Sequence, residues 1–225
     1  RFNTKIKMYY TIGLLGYSGL GKSTLINLVF NELVSKAVSK GTEVTTKCSE
    51  YNLPIKSNVF GKIRFLDFPG VSEQDNYEKI VKPEIEKKIS EDKKNKSKIN
   101  IVLFFIPGKG REFTSVGLSL LDFLYNEKIK VIFIINEEMK DFHFQEMKNK
   151  LKNTISQKGM LSDDFSNVIK INCFQYYDKE SRTGISDRGD GNHYSRAGLS
   201  MLFKKIIEFI NINKNNFNIN DITVD

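Results

Sequence analysis

Histidine is nearly absent from this 225-residue chain, and the two present argue against a histidine-based metal site or acid–base centre. Cysteine is as scarce. Cys48 and Cys173 stand far apart without metal-ligand spacing, and they read as two reduced thiols of a cytosolic protein rather than a structural disulfide. No apolar run approaches the roughly 18–20 residues needed to cross a bilayer. The longest, Ile99–Pro107 and Ile129–Ile135, have the length of buried strands. Internal repeats are missing, and so is any basic stripe interleaved with aromatics. The net charge of +8 and pI near 9.2 therefore do not point to nucleic acid. The lysines are dispersed among Glu, Asp and many Asn, as on the solvated surface of a compositionally biased protein. The chain starts at Arg1 rather than Met, as expected of an excised domain or processed chain, so a leader or tail outside it is left open. No membrane anchor is encoded in these residues.

What is present is globular: 40% hydrophobic and 12% aromatic residues, in a length that suits one α/β domain and is short for two. The apolar pattern alternates between short β-rich runs and longer amphipathic segments, the signature of a parallel sheet covered by helices. Strands are expected near Lys5–Leu15, Cys48–Pro54, Lys62–Phe68, Ile99–Ile106, Ile129–Ile135 and Val168–Cys173, with the second and third paired antiparallel. Helices are expected over Lys22–Lys36, Tyr77–Glu91, Ser115–Tyr125, Phe142–Ile155 and Leu199–Ile210. Phe174–Ala197 is long, polar and rich in Gly, Asp and Arg, and reads as a surface loop. The expectation is a three-layer, doubly wound, mainly parallel α/β sheet of about six strands. It forms one domain over 1–210, and the Asn-rich stretch 211–225 is a polar tail. Ligands of such sheets bind at the carboxyl ends of the strands.

One motif lies at the first of those ends. Gly16-Tyr17-Ser18-Gly19-Leu20-Gly21-Lys22-Ser23 fits G-x-x-x-x-G-K-[ST] between a strand and a helix. Glycines let successive backbone N–H groups turn inward around phosphates, and the helix start adds its positive dipole end. Lys22 reaches the β- and γ-phosphate oxygens, Ser23 takes a Mg²⁺ position, and Thr24 is placed to touch the α-phosphate. Mg²⁺ also needs a carboxylate at a neighbouring strand end. Asp67, followed by Phe68-Pro69-Gly70, supplies it, with the Gly70 N–H placed to report the γ-phosphate. Between the two lies Gly41-Thr42-Glu43-Val44-Thr45-Thr46-Lys47, where Thr45 or Thr46 would complete the metal shell and meet the γ-phosphate.

These residues resemble a TRAFAC-class GTPase of the septin-like branch, with septin, AIG1 (GIMAP) and Toc G domains as relatives. Tyr17 through Asn27 is similar to the septin phosphate loop and its helix, and Asp67-Phe68-Pro69-Gly70 to the D-T-P-G of the class. Gly110-Arg111-Glu112-Phe113-Thr114 after a strand resembles the AIG1 G-R-[FY]-T box with one residue inserted, and Val44–Cys48 that group's switch segment. The resemblance implies a GTP/GDP-binding, Mg²⁺-dependent hydrolase and regulatory switch. It also implies nucleotide-dependent pairing of two copies through the nucleotide face and an effector that the sequence does not name. Arg111 is then a candidate trans-acting arginine, although a solvated surface Arg reads equally well.

Two positions depart from the class. Val71 stands where many small GTPases carry a catalytic Gln, and valine cannot orient water, so slow intrinsic turnover is expected. The guanine-reading N-K-x-D is replaced by Asn136-Glu137-Glu138-Met139. Losing the bidentate Asp costs on the order of 2–3 kcal/mol of guanine preference unless Glu137, Glu138 or Asp141 takes the role. Asn172-Cys173 stands at the second base loop, where the contacts are mainly through backbone N–H groups. A regulatory GTPase is the leading reading. A nucleotide-binding assembly module with little turnover and an ATP-specific P-loop protein are the alternatives.

Overall fold

The computed structural model describes residues 8–30, 47–54, 60–72, 76–94, 98–108, 114–136, 141–157, 168–171, 175–176, 185–187, 193–195 and 198–210. Strand β1 (Met8–Gly16) leads into helix α1 (Lys22–Phe30), followed by β2 (Ser49–Pro54) and β3 (Phe60–Asp67). A π-helical turn (Tyr77–Val81) runs into α2 (Lys82–Lys94), then β4 (Ile99–Ile106), α3 (Ser115–Asn126), β5 (Lys130–Asn136) and α4 (Asp141–Gln157). Strands β6 (Val168–Ile171), β7 (Gln175–Tyr176), β8 (Ile185–Asp187) and β9 (His193–Ser195) precede α5 (Leu199–Ile210).

Six strands form one sheet in the order β2-β3-β1-β4-β5-β6. All neighbours are parallel except β2 and β3, which pair antiparallel with Ser49 opposite Asp67. Strands such as β4, INIVLFFI, are apolar nearly throughout because both faces are covered. Alternation sorts them. Ile101, Leu103 and Phe105 pack with Leu25 and Val29 of α1 and with Leu202 and Ile206 of α5. Val102, Phe104 and Ile106 face the other way, onto Val81, Ile85, Leu120, Leu124, Leu151 and Ile155 from the π turn and helices α2, α3 and α4. The result is the expected three-layer, doubly wound α/β architecture.

Two local expectations are corrected. The helix expected from Tyr77 opens instead with a π turn, in which the Lys82 N–H donates to the Tyr77 carbonyl. Pro83 gives the reason: in an α-helix its ring would collide with the carbonyl four residues back, Lys79, and a widened turn relieves that. The stretch expected to be a loop, Phe174–Ala197, carries a second, three-stranded antiparallel sheet in the order β7-β9-β8. Its strands are two or three residues long, too short for a period-two pattern to announce them. No helix among the described residues is long and apolar enough to cross a membrane.

Candidate functional site

The carboxyl ends of β1, β3, β4 and β5 meet at one edge of the sheet, and the loop after β1 lies across them. Gly16 has φ +121° and Gly21 φ +88°, conformations that L side chains rarely adopt. A Cβ on Gly16 would overlap the Phe105 carbonyl of β4, and one on Gly21 the Asn136 side chain of β5. The glycine spacing is therefore required twice, by backbone conformation and by close packing.

Main-chain bonds secure the first half of this loop. The Tyr17 N–H donates to the Phe105 carbonyl at 3.3 Å, and the Ser18 N–H to the Val71 carbonyl at 2.9 Å. The Val71 N–H returns to the Gly16 carbonyl at 2.9 Å, so the chain after β3 continues alongside the loop. In the second half, among the described residues, the N–H groups of Gly19 through Thr24 are not given to other main-chain oxygens. At the start of α1 such amides are donors suited to an anion.

Lys22, the first residue of α1, is only 6% exposed, with its Nζ donating to the Tyr17 carbonyl at 3.1 Å. Burial pulls its pKa down from the ordinary lysine range to about 8, with the nearby Asp67 carboxylate opposing the shift. Asp67 is buried at the end of β3, and its Oδ2 accepts from the Ser23 hydroxyl at 2.7 Å. A hydroxyl and a carboxylate held together beside a phosphate cradle are hard oxygen donors, the set that Mg²⁺ takes. The donor chemistry fits that ion. Gly70 packs against Ser18 so closely that a Cβ would lie 2.6 Å from the Ser18 Cα and 3.0 Å from the Lys22 Nζ.

Asn136, the last residue of β5, donates through Nδ2 to the Leu20 carbonyl at 3.0 Å. Its side chain thus ties the end of β5 to the loop after β1. Val71 is buried in the core, packed among the residues beneath the sheet. Thus Gly16 through Thr24, Asp67, Gly70 and Asn136 come together at one edge. Thr45, Thr46, Arg111, Glu138, Asn172 and Cys173 lie outside the described residues. Among the described residues no cluster of three or more His, Cys, Asp or Glu side chains is set to hold a metal. Two relationships were not foreseen from sequence: the Val71 main chain locking onto Gly16 and Ser18, and the Tyr17 hydroxyl reaching Thr114. Only Gly117, a glycine inside a helix, hinted at the second.

Comparison with known proteins places this geometry. Residues 11–137 match the family described as 50S ribosome-binding GTPase. Cell division control protein 3 of Candida albicans is 26% identical over 191 residues, 74% of this chain and 44% of its own length. Septin-8-A of Danio rerio is 27% identical over 187 residues, 72% of this chain and 44% of its own length. The chain thus spans less than half the length of these septin relatives. Among solved structures, one of chloroplast translocon components described as GTPases that dimerise superposes with a TM-score of 0.60 at 15% identity, covering 95% of this chain and 87% of that one. Era of Aquifex aeolicus bound to GDP and aluminium fluoride gives 0.57 at 18% identity, covering 89% of this chain and 56% of that one. At such identities the likeness is one of fold.

Proposed function

The chain belongs to this GTPase family as a septin-like, GTP-binding G domain, and from that premise we propose a guanine-nucleotide switch with slow turnover that pairs with a second copy of itself. The observation that carries the reading is buried Lys22 beside the Ser23–Asp67 contact, at a helix start where, among the described residues, no main-chain oxygen takes the N–H groups of Gly19 through Thr24. In this reading Lys22 holds the β- and γ-phosphate oxygens, and the N–H groups close around them. Ser23, Asp67 (through water) and Thr45 or Thr46 hold Mg²⁺. The ion would supply charge neutralisation across the β- and γ-oxygens when bound. The Gly70 N–H meets the γ-phosphate, Asn136 keeps the loop in shape, and Glu138, Asn172 and Cys173 border the base. Residues 1–210 form the G domain, 211–225 a polar tail, and the protein works in the cytoplasm on an effector. The nucleotide faces the pairing surface, with Arg111 as the residue offered to the partner copy.

Val71 favours a second reading. Its side chain is buried and its N–H and carbonyl are both engaged by the phosphate loop, so residue 71 presents nothing to a water molecule. A module that keeps nucleotide for assembly, with little turnover, accords with that.

Calorimetric titration with GTP, GDP, ATP and a non-hydrolysable GTP analogue, with and without Mg²⁺ and followed by light scattering, tests both readings. The switch reading expects Mg²⁺-dependent guanine-nucleotide binding, dimers with the triphosphate, and phosphate release that rises with protein concentration. Nucleotide binding without release supports the assembly module. Absence of binding to any magnesium–purine nucleotide overturns both.

A further inference from the structure

Tyr17 enters the phosphate-loop motif through its main chain, yet its side chain crosses to another element. Its hydroxyl accepts the Thr114 N–H at 2.8 Å and lies 2.9 Å from the Thr114 Oγ1. Thr114 is the N-cap of α3: its Oγ1 accepts the Gly117 N–H at 3.4 Å, and its carbonyl accepts the Leu118 N–H at 3.1 Å. The phenol oxygen takes the Thr114 N–H, one of the two hydroxyls donates to the other, and a small closed network results. Gly117 makes room for it, because a Cβ there would overlap the Tyr17 hydroxyl. Glycine inside a helix is unfavourable on propensity alone, so its presence in the first turn of α3 has this packing reason.

The main chain of the same residue sits in the nucleotide site. The Tyr17 carbonyl accepts the Lys22 ammonium at 3.1 Å, and its N–H is tied to Phe105. One rigid aromatic residue therefore touches the cation that would meet the phosphates and the cap of a helix 97 residues away.

We propose that Tyr17 is a positioning residue, coupling the hold of Lys22 on phosphate to the N-cap of α3. The inference rests on the nucleotide reading, because phosphate oxygens would share the three N–H donors of the ammonium with the Tyr17 carbonyl and weaken its hold there. That sharing alters the hold on the peptide between Tyr17 and Ser18. The ring, with two torsions and a hydrogen-bonded tip, passes the change to Thr114.

The test is amide hydrogen exchange of Gly117 and Leu118, with GDP–Mg²⁺ and with the GTP analogue, in wild type, Tyr17→Phe, Gly117→Ala and Thr114→Ser. In wild type, nucleotide is expected to change exchange at both amides by about fivefold or more, the worth of one hydrogen bond. Tyr17→Phe and Gly117→Ala are expected to lose that response although they are chemically unrelated. Thr114→Ser keeps the oxygen and the N–H and retains it. A purely local role for residue 117 predicts the opposite for Gly117→Ala: a better helix former, with slower exchange and an intact response. Full response in Tyr17→Phe or Gly117→Ala overturns the proposal. Calorimetry on the same samples separates the two claims. A wild type that binds nucleotide without any exchange response sinks this coupling alone, and a wild type that binds none sinks the nucleotide reading with it.

Discussion

The Ser23 hydroxyl donates to Asp67 Oδ2 at 2.7 Å, joining two residues 44 apart in sequence, one at the start of helix α1 and the other at the end of strand β3. The contact fixes the direction of a carboxylate that is only 1% exposed and sets a hydroxyl and a carboxylate side by side.

Asp67→Asn keeps the shape and removes the charge. Mg²⁺ should strengthen binding of the GTP analogue to the wild type, and this dependence should weaken by about 10–100-fold in the variant. Titrations at several Mg²⁺ concentrations measure it. Equal Mg²⁺ dependence in both proteins would remove Asp67 from the metal site.

Lys22 predicts a pH dependence whose sign is fixed by its lowered pKa. The folded chain gives up this proton near pH 8, whereas the unfolded chain holds it toward the ordinary value of 10.5. Between those values the unfolded state binds more protons, so the nucleotide-free protein gains stability as pH rises through that window. Below about 8 the full cost of burying the cation, on the order of 3 kcal/mol, is present. Urea melts from pH 7 to 9 should show the gain, and Lys22→Met should lack it. Nucleotide binding restores the charge, so calorimetry near pH 8.5 in two buffers of different ionisation heat should detect proton uptake.

Replacing Val71 by Gln is not expected to install catalysis. The side chain points into the core, and its main chain is held by Gly16 and Ser18, so an amide there is buried rather than aimed at water. The variant should lose about 1–3 kcal/mol of stability, and its phosphate release should not exceed that of wild type. A rise in turnover of tenfold or more would show that this segment leaves the phosphate loop during the reaction.

Cys48 should be an unreactive thiol. Burial is the first cause that pushes its pKa up to about 12, with Lys88 opposing and Glu84, Asp67 and Glu50 adding. In a Cys173→Ser background, a disulfide reagent at pH 8 should label the native protein slower than the denatured one by roughly a thousandfold. Rapid native labelling would mean that the start of β2 opens readily.

Local pattern carried the phosphate loop. Glycine spacing, Lys22 and Ser23 are contiguous, and their chemistry needs only a strand before and a helix after. The sheet was legible for a related reason: runs such as Ile99–Ile106 and Ile129–Ile135 are too apolar to lie anywhere but in a doubly covered layer. The π turn could have been read from Pro83, but an otherwise helical pattern hid it. The small sheet β7-β9-β8 had no pattern long enough to read.

By itself, then, the chain's order of residues decided that a phosphate cradle stands at the end of a first strand in an α/β sheet. Periodicity and glycine geometry act over a few residues, and a sequence displays them directly. Only the tertiary structure decided that Asn136 holds Leu20 across 116 residues and that Val71 turns into the core. It alone brought the Tyr17 hydroxyl to the cap of α3. Such contacts depend on which strand ends become neighbours, and that is settled by burying both faces of the sheet at once rather than by any local preference.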